Sequence, residues 1–433
     1  MSTVNVVVPY QRIQEAFESN AAKLHDAVYQ CADKAAGGDP DERARLIAAW
    51  NEAVSALEKD DKHAPVLSSP QNALASRLQS LFASQSVAAD KVASARGDES
   101  VSTPAGVSTS PGVLEVQFDN DDLIGWVGMS WKLIFKPEKH AWLAPPTAPE
   151  PIDDKARIAV FGDWGTGLYG APVIASSIAK LDRCDVVLHL GDTYYSGSDD
   201  EITNRLVNNW PKRTGAVNRT LNGNHEMYSG GKGYFQALAS FFNQPASCFA
   251  MQNAAWVLVC LDTSYVDYNI DAGQLAWLQS ILAAAGTRKL ILFSHHQPFS
   301  QLDNQGPNLQ SALADLLEKQ RIHAWYWGHE HRLVLYEPHP TWGFKGRCVG
   351  HGGFPAFRDD LSVPQSKIYQ WVKLPAKPYA PAAQVLDGPN FWVTEDPMAY
   401  SPHGYLTLDF DGNDVWETYR TPDGIAVSDR MKV

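Results

Sequence analysis

Five times in this 433-residue chain, an apolar run of strand length stops and gives way at once to carboxylates, an amide or imidazoles. The runs are "ARIAVFGDWG", "DVVLHLGDTYY", "AVNRTLNGNHE", "KLILFSHHQP" and "HAWYWGHEH". Helical patterns separate several of them, as in "APVIASSIAKL", "AGQLAWLQSILAAA" and "LQSALADLLEKQ". Strands alternating with helices predict a layered α/β domain. In such a domain the polar clusters fall where the carboxyl ends of the strands present ligands.

The clusters supply Asp163, Asp192, Tyr195, Asn224, His225, His295, His296, His329 and His331. Carboxylates, an amide oxygen and imidazoles suit divalent and trivalent first-row metals. The cysteines (Cys31, Cys184, Cys248, Cys260 and Cys348) are far apart, show no CxxC spacing, and predict buried reduced thiols. Seven or more donors exceed the needs of one ion. A pair sharing a carboxylate fits the count, and two metals ~3.5–4 Å apart are a recurrent device for phosphoester hydrolysis. His189 lies within an apolar strand and reads as a core residue, and Asp262 in "CLDTS" reads as a turn builder.

The ordered set GD, GD, GNH[DE], H and GHxH resembles the calcineurin-like metallophosphoesterase superfamily. Within it, "GDWG", "GDTYY", "GNHE" and "GHEH" resemble the purple acid phosphatases, particularly the small tartrate-resistant type, over residues 155–420. Most relatives carry Asp-x-His at the first motif, whereas here Gly165 follows Asp163-Trp164 and offers no ligand. The purple subgroup compensates with a tyrosine three residues after the second aspartate, the spacing of Tyr195 from Asp192. A phenolate is a hard oxygen donor suited to ferric iron.

The resemblance implies a four-layer α/β/β/α sandwich. It implies a first metal, Fe(III), held by Asp163, Asp192, Tyr195 and His331. The second, Fe(II), Zn or Mn, would be held by Asn224, His296 and His329, with Asp192 bridging. His296 is preferred to His295 because it precedes x-Pro; His295 is then a phosphate contact. His225 would protonate the leaving alcohol, with Glu226 orienting its imidazole. His351, in the Gly-flanked "VGHGGF", is a candidate to close over substrate. The reaction implied is phosphomonoester hydrolysis by hydroxide activated at the metal pair. Alternatives are a phosphodiesterase or nucleotide hydrolase on the same site and, in another class, a catalytically silent binding or scaffold protein.

Residues 1–95 read as a helical region from mixed three and four apolar spacing. Residues 96–150 read as a Ser/Thr/Pro/Gly linker with a short β segment at "GVLEVQFD" and "GWVGMSWKLIF", and 151–433 as the catalytic domain. The segment "GYLTLDFDGNDVWETYRTPDG" predicts a terminal hairpin. A net charge of −13 argues against a nucleic-acid surface but not against a phosphate substrate, since bound cations reverse the sign of a pocket. The first residues show no secretory pattern and no run reaches membrane-span length, so the expectation is a cytoplasmic protein acting on a small phosphate ester. Signal-independent export stays open, and oligomeric state is not readable.

Overall fold

The structure, a computed structural model, describes residues 25–59, 72–80, 137–167, 169–302, 306–361, 365–393 and 397–433. The chain divides into two compact units. The first comprises Met1–His140, Tyr194–Asp200 and Tyr228–Lys232; the second comprises Ala141–Thr193, Glu201–Met227 and Gly233–Val433. No helix among the described residues is long and apolar enough to cross a membrane.

In the first unit, helices cover 25–36, Pro40–Lys59 and 73–80. Gly37 and Gly38 take positive φ and end the first helix. Asp39 then accepts from the Asp41 and Glu42 amides at 2.9 and 3.3 Å, with Pro40 at the first helical position. Ala27, Val28 and Ala32, then Leu46, Trp50 and Ala53, then Leu74, Ala75 and Leu78, are the buried stripes. Two returning segments join this unit. Ser80 Oγ meets Ser196 Oγ at 2.8 Å, and Arg77 donates to the Tyr228 carbonyl at 2.7 Å. The expected strands between 113 and 135 lie outside the described residues.

The second unit is built on two sheets. The six-stranded sheet runs in the order Met431–Lys432, Asp414–Arg420, Tyr405–Asp411, Arg157–Phe161, Val186–His189, Val217–Thr220. Its last three strands are parallel, and the expected hairpin pairs Tyr405–Asp411 with Asp414–Arg420. The nine-stranded sheet is parallel through Trp256–Cys260, Lys289–Ser294, Ile322–Trp327 and Lys345–Val349. It continues antiparallel through Leu333–Tyr336, Ala383–Asp387 and Gln370–Leu374.

The strands buried on both faces are near-continuous Val, Ile, Leu and Phe, as two-sided coverage requires. One core lies between the sheets, joining Ile158, Val160, Val186 and Leu188 to Leu258, Ile291 and Phe293. The other face of the larger sheet packs Val257, Val259, Leu290 and Leu292 on Leu278 and Ile281 of helix Ala272–Ala285 and on Leu309, Leu313 and Leu317. The outer face of the smaller sheet packs Ala159, Phe161 and Val187 on Ile174, Ile178, Ile202 and Leu206. These layers are α/β/β/α. A charged pin crosses the middle: Arg347 pairs with the fully buried Glu417 at 3.0 Å, and Tyr326 donates to the same carboxylate at 2.7 Å.

Candidate metal centre

Every parallel strand near the middle of each sheet delivers its cluster at the same edge. Asp163 follows Arg157–Phe161, Asp192 follows Val186–His189, and Asn224, His225 and Glu226 form a short turn after Val217–Thr220. From the larger sheet, His295 and His296 follow Lys289–Ser294, and His329 and His331 follow Ile322–Trp327. The side chains converge as two groups. Asp163, Asp192 and His331 bring one donor atom each within 4.8 Å of the others, and so do His295, His296 and His329.

The backbone is bent to achieve this. Asp163, Asp192, His329 and His331 all have positive φ (56°, 75°, 69° and 53°), although none is glycine. Such conformations cost about 1–3 kcal/mol each and persist where surroundings enforce them. Two glycines permit the close approach. A Cβ at Gly223 would stand 2.1 Å from Asp192 Oδ1, and one at Gly328 would stand 2.7 Å from Asp163 Oδ2.

Hydrogen bonds fix the donors. The His329 amide donates to both Asp163 oxygens at 3.0 and 2.8 Å. The His225 amide donates to Asp192 Oδ1 at 3.1 Å. His295 donates Nδ1–H to the Leu190 carbonyl at 2.9 Å, so Nε2 is the nitrogen left to take a metal or a second proton. That Nε2 stands 3.0 Å from Asn224 Oδ1, 3.2 Å from His329 Nδ1 and 3.3 Å from Asp192 Oδ1. Two side-chain oxygens and a second imidazole nitrogen thus surround His295 Nε2. His296 is held by Thr263, whose Oγ1 lies 3.0 Å from its Nδ1 and accepts its amide at 3.0 Å. Its buried Nε2 has no hydrogen-bond partner among the described residues.

The charges tell the same story. Burial drives Asp163 well above the usual carboxylate range; His295 opposes this and Asp192 adds to it. Desolvation would raise Asp192 too, but His295 and His225 hold it well below. For His295, desolvation is outweighed by Asp192, Asp163 and Glu226, which push it up to about 9. The carboxylates thus favour positive charge at the place where His295 Nε2 points. The donor set of carboxylates, an amide and imidazoles, gathered in two groups, fits two hard or borderline cations.

Two sequence expectations change, those for Glu226 and His351, and His295 gains a second reading as a metal donor. Glu226 does not orient His225. Its Oε2 accepts from the Asp192 and Gly223 amides at 3.1 and 2.9 Å, and its Oε1 from Thr193 at 2.7 Å. Successive residues in a helical turn point apart, so Glu226 lies beneath the second motif while His225 departs from it. His295, expected to contact phosphate, is fully buried with Nε2 at the convergence of Asn224, Asp192 and His329. It stands in one group with His296.

His351 does not close over the site. It is fully buried beside His403, because its loop is tied down by Gly352 N to the Gly162 carbonyl (2.9 Å) and Phe354 N to the Asp163 carbonyl (3.0 Å).

Tyr195 is buried and belongs to the first unit. His189 packs between Phe161 and Trp210, with Nδ1 3.1 Å from Thr220 Oγ1, as a core residue. Asp262 accepts the Ser264 and Tyr265 amides at 3.0 and 2.8 Å and so builds a turn. Sequence reasoning missed Thr263, next to that aspartate, and Tyr268, whose hydroxyl lies 3.2 Å from His329 Nε2. The Asp-Thr-Ser following a buried strand was the available signal for the first; nothing local announced the second.

Residues 156–333 match the family model of the calcineurin-like phosphoesterases. No curated protein matches the chain. Among solved structures it is similar to the purple acid phosphatase PPD1 from yellow lupin (Lupinus luteus) seeds, at 17% identity over 65% of this chain and 55% of that one, TM-score 0.49. It thus spans little more than half the length of the lupin protein. It is also similar to PhoD (11% identity, 66% and 70% covered, TM-score 0.40). A third is the phosphopantetheinyl hydrolase PptH of Mycobacterium tuberculosis (12% identity, 46% and 92% covered, TM-score 0.29).

Proposed function

We propose that this chain, whose residues 156–333 match the calcineurin-like phosphoesterase model, is a metal-dependent phosphoester hydrolase that cleaves phosphate monoesters at a dinuclear centre of purple acid phosphatase type. The observation that carries the reading is the convergence of Asp163, Asp192 and His331 beside His295, His296 and His329, with Asp192 Oδ1 3.3 Å from His295 Nε2. Asp163, Asp192 and His331 would hold the first metal, with Tyr195 as its phenolate donor on the strength of its spacing from Asp192. Asn224, His295, His296 and His329 are the donors for the second, and Asp192 is the shared carboxylate. When bound, the two cations supply charge neutralisation and an activated water for in-line displacement at phosphorus.

The chain's own groups do the rest. Asp192 is oriented by the His225 amide, and Glu226 secures the backbone on either side of it, so the shared carboxylate cannot swing away. His225 is the group to place a proton on the departing alkoxide, in the usual manner of an imidazole acid. Thr263 and the Leu190 carbonyl fix the rings of His296 and His295. Asp163, Asp192, His295 and His296 are almost fully buried, which strengthens each charge interaction among them.

Metal analysis of purified protein, with a panel of monoesters and diesters, tests the reading. Two equivalents of metal and faster turnover of monoesters are expected. Diester or nucleotide preference moves the substrate assignment, and protein with two metals but no hydrolysis is a binding protein. An iron-loaded sample is expected to show a tyrosinate-to-iron charge-transfer band that Tyr195→Phe abolishes and Tyr194→Phe retains.

A further inference from the structure

Tyr268 lies in a tight turn after the turn built by Asp262. Val266 and Asn269 pair across it, with the Asn269 amide donating to the Val266 carbonyl at 2.8 Å. Tyr268 itself has φ 53°, a left-handed conformation unfavourable for a bulky aromatic residue. The turn lays the half-buried ring over two imidazoles. Its centroid is 4.0 Å from that of His296, tilted by 47°, and 5.4 Å from that of His329, nearly perpendicular. Its hydroxyl oxygen stands 3.2 Å from His329 Nε2.

The tautomers follow from the neighbours. His295 donates its Nδ1–H to the Leu190 carbonyl, so Nε2 is the nitrogen that would offer a lone pair to a cation. His329 Nδ1 faces that nitrogen at 3.2 Å. For both nitrogens to serve one cation, His329 Nδ1 must be unprotonated, and its proton must sit on Nε2. Nε2–H then needs an acceptor, and the Tyr268 oxygen is in position.

We infer that Tyr268 is a positioning residue of the metal centre: its oxygen accepts the Nε2 proton of His329, selecting the tautomer that leaves Nδ1, which faces His295 Nε2, unprotonated. Its ring also covers the outer face of His296 and limits that ring's rotation. The inference rests on the metal-centre reading above. Outer partners of this kind typically govern metal affinity by about 10–100-fold.

The test uses the full chain and zinc alone as probe. Zinc is titrated into stripped wild type, Tyr268→Phe and Tyr268→Leu against a chelator of known affinity, and the histidine tautomers are read from ¹⁵N–¹H correlations. Wild type should bind two equivalents, with His329 protonated at Nε2. Tyr268→Phe keeps the ring and loses the oxygen; it should weaken the second equivalent by roughly 10–100-fold and leave the first unchanged. Tyr268→Leu should weaken it further. Wild-type zinc affinity in Tyr268→Phe, or His329 protonated at Nδ1 in the zinc-loaded wild type, overturns the inference while the centre stands. Wild type that binds no metal overturns the centre and this inference with it.

Discussion

Two pairs of buried histidines lie in the second unit, and of the four rings burial lowers His296, His351 and His403 while His295 alone is driven up. His295 and His296 sit with Asp192 and Asn224; His351 and His403 sit with each other. All four are at most 1% exposed. Neither ring of the second pair closes a normal hydrogen bond among the described residues, and each has only a backbone carbonyl nearby, of Val349 or Phe354. Burial, followed for His351 by the charge of its neighbour, pushes them down to about 3 and about 4. His295 feels the same desolvation, yet the carboxylates drive it up to about 9. Burial alone therefore makes a histidine a neutral packing group. The carboxylates around it make a place for positive charge.

Removing the shared carboxylate should have the largest effect. Asp192→Asn is expected to lose both metals and reduce hydrolysis to background, by elemental analysis and steady-state rates. Two retained equivalents would erase the contrast between the pairs. Next is His225→Ala, which should keep both metals and lower turnover by ~10²–10⁴, with a smaller loss for leaving groups that need no proton. Equal losses on good and poor leaving groups would leave His225 as a phosphate contact only.

Smaller still is Thr263→Val, which frees the His296 ring and should weaken metal binding about 10–100-fold, as read by chelator competition. His351→Leu in the same assay should change nothing. The smallest effect at neutral pH belongs to the second pair itself. Their folded pKa values are depressed below the unfolded 6.5, so their stabilising contribution is complete above pH 6.5. It is lost as pH falls through about 4 and about 3. Every tenfold loss of proton affinity on folding corresponds to roughly 1.4 kcal/mol, so the His351→Leu, His403→Leu double variant should flatten the acid limb of the unfolding curve. An acid limb as steep as that of the wild type would deny the pair its neutral character.

Much of the second unit was legible because its strands are short apolar runs with two-sided burial and its motifs stand at their ends. Asp163, Asp192, Asn224, His296, His329 and His331 were all placed at strand ends from sequence alone. The directions of side chains within a cluster were not. Whether His295 or His296 points inward depends on how the chain leaves Ser294, whose hydroxyl donates to the His296 carbonyl at 2.7 Å. Glu226 was misjudged because three backbone amides from two loops, brought together only in the fold, outbid a neighbouring ring for its oxygens. His351 misled for a different reason. Flanking glycines read as freedom, but here they admit close packing: a Cβ at Gly352 would stand 2.3 Å from the Gly162 carbonyl.

The two sheets meet at the centre from opposite sides. Asp163 and Asp192 hang from the six-stranded sheet, while His331, His329, His296 and His295 hang from the nine-stranded one. Among the described residues no ladder joins the sheets; apolar packing, the Arg347–Glu417 pin and loop hydrogen bonds such as His295 to the Leu190 carbonyl do. A cation held at Asp163, Asp192 and His331 would therefore fasten residue 163 to residue 331 as a disulfide fastens distant cysteines, but reversibly. Saturation at a hundred times the dissociation constant would add about 2.7 kcal/mol to the unfolding free energy. Metal supply would then set how long the folded chain survives as well as how fast it turns over.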